Sequence, residues 1–260
     1  MRGERSGKRD RYDGAELFAT GNAGRSSCGE PVAINPAWQP SPFAENVTPS
    51  LHQAIEDVYA AFRDVPRPRT MEGCPCCIDA KGIDILLSKG LRDLTPENLT
   101  HYAGSALLTV GSVEDYVYFL PRILEILASE RYWWPEPEVV TRAMHTAGFH
   151  SWPDGRRQAL LRYFEEVISE LLANEGSGAA LDSWICALGR LHVDLAPFLS
   201  GIAENRPRLI EFYEVNSQEL INGGLTNPFW DEAPVEQKQV VAWFRTADIQ
   251  KLIEAHYGWT

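Results

Sequence analysis

The chain has 260 residues, 44% hydrophobic and 23% charged, with a formal net charge of −12, which is the balance of a globular protein long enough to bury a substantial core. Residues 1–11 hold five basic side chains against Glu4 and Asp10, so the rest of the chain carries −15. A body that acidic repels a phosphate backbone, which excludes a general nucleic-acid-binding role and favours a basic protein partner.

Residues 1–47 are rich in Gly, Ser, Arg, Asn and Pro and show no sustained apolar period, so a disordered or loosely attached N-terminal arm is expected there. No stretch approaches the ~20 apolar residues that span a bilayer, and no apolar run follows the basic start. No membrane association is read, and a cytoplasmic chain is expected. An odd count of five cysteines, three of them clustered, argues against a disulfide scaffold.

From residue 48 to 260 the pattern predicts a single all-α domain, an irregular multi-helix bundle or helical-pair array. Ser50 is placed to cap a helix with Leu51, Ile55, Val58, Tyr59 and Phe62 on one face, and Pro66-Arg67-Pro68 ends it. Asp79 caps a short helix closed near Gly90. Thr95-Pro96-Glu97 starts another, predicted to run to about Val110 with Gly111 as its stop. Ser112-x-x-Asp115 opens a segment with Val117, Leu120, Leu124 and Leu127 on one stripe, and Pro121 inside it predicts a kink or two abutting helices. Further helices are expected near 137–147, 153–174, 180–190, 194–203, 207–222, 234–245 and 247–257. No window alternates with period two, so strands are not expected.

Chemistry is spelled out sparingly. Gly73-Cys74-Pro75-Cys76-Cys77 packs three thiols into four positions. Cys74 and Cys77 have the C-x-x-C spacing of half a zinc site, with Cys76 between them and His101 the best distant ligand. The same pair also has redox spacing, with a helix N-terminus expected to follow, but not the βαβ context of a thioredoxin. A tight turn packing small thiols under neighbouring helices is the plainer reading. The six histidines are dispersed, and Glu165-Glu166 and Glu114-Asp115 are adjacent on helices, so each pair diverges onto a solvated face. No nucleophile elbow, phosphate loop, dinucleotide fingerprint or H-E-x-x-H motif occurs. Tyr132-Trp133-Trp134-Pro135 and Asn227-Pro228-Phe229-Trp230-Asp231-Glu232 place aromatics in connections, where they act as core lids or as partner anchors. Phe229, Trp230, Asp231, Glu232, Trp133 and Trp134 are the candidate partner-binding residues.

The block from Arg67 to Arg122 carries Gly73-Cys74-Pro75-Cys76-Cys77, Leu91-Arg92-Asp93-Leu94-Thr95, Thr109-x-Gly111 and Phe119-Leu120-Pro121-Arg122. It resembles a group of uncharacterised bacterial proteins that share a Cys-Pro-Cys-Cys block followed by a Phe-Leu-Pro-Arg helix. The resemblance implies a bacterial, cytosolic, helical protein and implies no reaction. Acidity, aromatic connections and the lack of a catalytic signature together point to a non-enzymatic protein-binding module, in its sharpest form an immunity or antitoxin protein that occludes a basic toxin. The alternative is a metal-dependent enzyme or sensor built on Cys74, Cys76 and Cys77, with zinc as the metal.

Overall fold

A computed structural model describes residues 47–130 and 132–258. The expected N-terminal arm, Cys28 with it, lies outside the described residues apart from Val47, which packs half-buried against the core. Among the described residues the chain forms eleven α-helices joined by turns and short 3-10 segments, with two isolated bridges and no strand. The fold is all-α, as the periodicity predicts.

Local sequence sets most helix starts. Thr48, two residues before the expected Ser50, caps α1 (Pro49–Ala61) by accepting the Leu51 N–H. Asp79 caps α2 (Ala80–Ser88) through the Gly82 N–H at 2.7 Å. Thr95 and Asn98 form a capping box at the start of α3 (Pro96–Ser105), and Ser112 with Asp115 forms another at α4 (Val113–Ser129). α4 passes through Pro121 as one helix instead of two. Leu120, Pro121, Ile123 and Leu124 are all buried, so packing around the proline outweighs the lost backbone hydrogen bond.

α3 ends at Ser105, not near Val110. Leu107 takes a left-handed φ of 61°, its N–H donates to the Val110 carbonyl, and Thr109 and Gly111 turn away to pair with the segment before the cysteines. Main-chain groups at residues 72–74 need partners and find them there, a demand that no local helix pattern reveals.

The remaining helices are α5 (Pro137–Thr146), α6 (Asp154–Ala173), α7 (Gly178–Arg190), α8 (Ala196–Glu204), α9 (Arg206–Asn222), α10 (Pro234–Phe244) and α11 (Ala247–Tyr257). The dominant pairings are α1 on α6, α5 on α7 and α7 on α9. α7 is the central element: Leu181, Ile185, Cys186, Leu188 and Gly189 are buried, and α5, α6, α9, α10 and the 228–232 turn surround it. Gly178 allows α9 to come close, since a Cβ there would stand 2.6 Å from the Glu211 carbonyl oxygen. This enclosure of one helix by its neighbours is the arrangement of an irregular bundle.

Candidate functional site

The cysteine segment is a pinned turn. The Cys74 N–H donates to the Thr109 carbonyl and the Gly111 N–H to the Glu72 carbonyl, both at 2.8 Å. Cys77 and Ile78 then donate their N–H groups to the Cys74 carbonyl at 2.9 and 3.1 Å, and Ile78 buries its side chain while Asp79 starts α2. Cys74 and Cys77 are half-buried free thiols, and Cys76 is exposed. The Cys76 N–H lowers the Cys74 pKa, desolvation opposes it, and the Cys77 thiol and N–H add smaller lowering contributions. His101 is exposed on α3. Among the described residues, no group of three or more His, Cys, Asp and Glu is arranged to hold a metal ion, so Cys74, Cys76, Cys77 and His101 are not brought together as a ligand set.

The aromatic connections divide between interior and surface. Trp133 donates its indole N–H to the Pro96 carbonyl at 3.0 Å and to Thr100 Oγ1 at 2.9 Å, which ties the 132–136 connection to α3. Trp134 stays 51% exposed, its ring lying against Gly104 of the same helix. Leu108, 61% exposed, lies in the turn after α3.

The Asn227–Glu232 segment is a lid on α7, and this corrects its reading as a docking loop. Trp230 is fully buried, with its six-membered ring where a Cβ on Gly189 would stand, 2.6 Å from Cζ3. A residue with no exposed surface offers nothing to a partner. Phe229 is half-buried, 5.0 Å from the Arg190 guanidinium, and Glu232 is ion-paired with the same arginine. Asp231 and part of Glu232 alone face solvent from the acidic–aromatic run. Gly223, at φ 81°, lets the chain reverse after α9 and lay this segment back on the core.

Under the lid lies a polar network that adjacency in sequence does not display. Glu138, 1% exposed in the first turn of α5, accepts from Ser183 Oγ and Asn227 Nδ2 at 2.6 Å each, while its second oxygen has no partner among the described residues. Arg190 donates to the Glu138 carbonyl and to Glu232. Asp182 accepts from Asn216 Nδ2 at 2.9 Å, and Asn216 Oδ1 accepts the Thr226 N–H at 2.9 Å. Burial pushes Asp182 up to about 6, opposed by the Asn216 hydrogen bond and reinforced by the Glu138 charge. Burial likewise raises Glu138, with Ser183 and Asn227 opposing, and raises the Cys186 thiol. The one signal in the sequence is that Asp182 lies on the stripe of Ile185 and Gly189, an acid on a buried face. Nearby, His192 hydrogen-bonds Glu236 at 2.8 Å and stacks edge-on with His145 at 5.1 Å.

An open cleft of about 390 Å³ lies between α1, α4 and the 91–93 turn. Arg92 stands 3.7 Å over the Tyr59 ring and makes a two-pronged pair with Glu56 at 2.7 Å. Tyr59 donates to Glu125, Glu125 pairs with Arg122, and Arg122 donates to the Leu94 carbonyl. Leu91-Arg92 and Pro121-Arg122, far apart in the chain, therefore meet at this cleft, but their polar groups satisfy one another.

Residues 47–260 hold 30 acidic and 18 basic side chains. Arg92, Arg122, Arg156, Arg157, Arg162, Arg190 and Arg208 are each in an ion pair with a neighbouring carboxylate. Glu165, Glu204, Glu219 and Glu254 lie exposed on the outer helix faces, and Glu175 in the turn after α6. No helix among the described residues is long and apolar enough to cross a membrane.

The chain matches no protein-family model, no curated protein and no solved structure.

Proposed function

We propose that this chain is a non-enzymatic binding module for a basic protein partner, in its sharpest form a cytoplasmic immunity or antitoxin protein that occludes a basic toxin. The observation that carries the reading is the surface imbalance: 30 acids stand against 18 bases from residue 47 onward, and seven arginines are held by internal pairs. Such a field attracts a cationic surface at long range and speeds encounter, while specificity comes from apolar anchors. Trp134, half exposed on the Gly104 face of α3 with Leu108 beyond it, takes the anchor role that buried Trp230 cannot fill.

The rival, a metal-dependent enzyme or sensor on Cys74, Cys76 and Cys77, has less support, because the described residues supply no third ligand. Stopped-flow association with a partner isolated on immobilised full-length protein tests the proposal. The on-rate should fall steeply between low and physiological salt. A salt-independent on-rate, or a partner with no net positive charge, overturns it, and about one equivalent of zinc in the purified protein favours the rival.

A further inference from the structure

We infer that Cys74 and Cys77 form a reversible dithiol–disulfide couple that exchanges stoichiometrically with a small-molecule disulfide, a reaction independent of the partner-binding reading. The geometry rests on the turn. A hydrogen bond from the Cys77 N–H to the Cys74 carbonyl at 2.9 Å closes a four-residue turn, and such a turn brings its end Cα atoms within ~7 Å, the upper edge of the disulfide range. Both thiols are free. The turn is clamped on both sides, by the Cys74–Thr109 and Gly111–Glu72 hydrogen bonds before it and by the Asp79 cap of α2 after it. Bond formation therefore needs sulfur rotation and no refolding.

The two thiols differ in their surroundings. The main-chain N–H groups of Cys76 and, less, Cys77 lower the Cys74 pKa, which favours its thiolate and makes it the attacking sulfur. A concavity of about 420 Å³ lined by Glu72, Gly73 and residues 107–111 lies at the residue preceding Cys74. In the first step the Cys74 thiolate attacks one sulfur of the small-molecule disulfide. A Cys74–S–S–R bond forms, the small-molecule S–S bond breaks, and the distal sulfur leaves as a thiolate that takes a proton from water. In the second, Cys77 gives its proton to solvent and attacks Cys74 Sγ, closing Cys74–Cys77 and releasing the second thiol. The chain loses two electrons and two protons, and the disulfide gains them.

The test uses the full-length protein in glutathione buffers of graded ratio, with differential alkylation and peptide mapping of every cysteine. The expected result is concerted loss of the Cys74 and Cys77 thiols and recovery of both in reducing buffer, while Cys186 is unmodified. Cys77→Ser should trap a mixed disulfide of Cys74 with glutathione, and Cys74→Ser should abolish exchange at Cys77. Circular dichroism of both variants checks that the turn change leaves the helices intact. Cys74 and Cys77 that stay alkylatable at every ratio, or a disulfide joining either of them to Cys76 or Cys28 instead, overturns the inference. So does a Cys77→Ser variant that traps glutathione on a different cysteine.

Discussion

Gly189 and Trp230 offer a double-mutant cycle that tests whether the 228–232 segment belongs to the core. A Cβ on Gly189 would stand 2.6 Å from Trp230 Cζ3, 3.1 Å from Cη2 and 3.2 Å from Glu236 Cβ. Carbon atoms in contact prefer about 3.5–4.0 Å, so the methyl overlaps the ring by about 1 Å. The ring is fully buried among core residues. Overpacking of this kind costs about 1–3 kcal/mol, against a gain of up to ~1 kcal/mol from replacing a mid-helix glycine by alanine. Gly189→Ala should therefore destabilise the native protein by about 1–2 kcal/mol. In a Trp230→Leu background the ring atoms are gone, and the same substitution should be neutral or slightly stabilising. Trp230→Leu should itself cost less than the ~3–5 kcal/mol of a buried Trp→Ala change. Urea melts of all four proteins, compared at constant m-value, give the coupling, expected at about 1–3 kcal/mol. If Gly189→Ala costs the same in both backgrounds, Trp230 does not occupy that slot and the lid is misplaced.

Asp182 titrates at about 6 in the fold against 3.8 for a free carboxyl, so its contribution to stability is full below pH 3.8 and is lost as pH rises through 6. The loss is at most about 3 kcal/mol at 1.36 kcal/mol per unit. Asp182→Asn should flatten the decline in Cm expected of the parent between pH 4 and 7, and an unchanged slope would show that the carboxyl is not the source. Ser112→Ala removes the side-chain acceptor of the Asp115 N–H at the start of α4, which should lower stability by about 1 kcal/mol; a Cm shift near zero would mean that the cap contributes nothing. Cys186 is sealed in α7 with its thiol pushed up by burial, so native-state alkylation should spare it and unfolding in urea should expose it; rapid native labelling would contradict its placement.

What the sequence displays is what short range decides. The capping residues Asp79, Thr95 and Ser112 act within three positions of themselves, and the apolar stripes of α1, α4 and α6 need only the helical period. The end of α3 escapes that logic because it is set by residues 72–74, more than thirty positions earlier, which take up the main chain of 109–111. Trp230 looks like an exposed anchor because its neighbours are Asp231, Glu232 and a flexible glycine pair. Its burial depends on a missing side chain at Gly189, forty-one positions away on another helix. The Glu138–Asp182–Arg190–Asn216 network is drawn from three helices, so no spacing rule finds it. The cysteine turn is intermediate: its spacing is plain in the chain, but the effect of the main-chain N–H groups on Cys74 appears only in three dimensions.

The measurement that bears most directly on the binding proposal is the kinetics of the partner complex across ionic strength, for the parent protein and Trp134→Ala. Trp134 is half exposed and makes little of the core, so its removal should change stability by no more than ~0.5 kcal/mol. An acidic field with an aromatic anchor predicts an on-rate that falls with salt equally in both proteins, and an off-rate raised about thirtyfold or more in the variant, the kinetic form of a ~2 kcal/mol hot spot. Salt-insensitive association together with an unchanged off-rate would contradict the proposal at both of its supports.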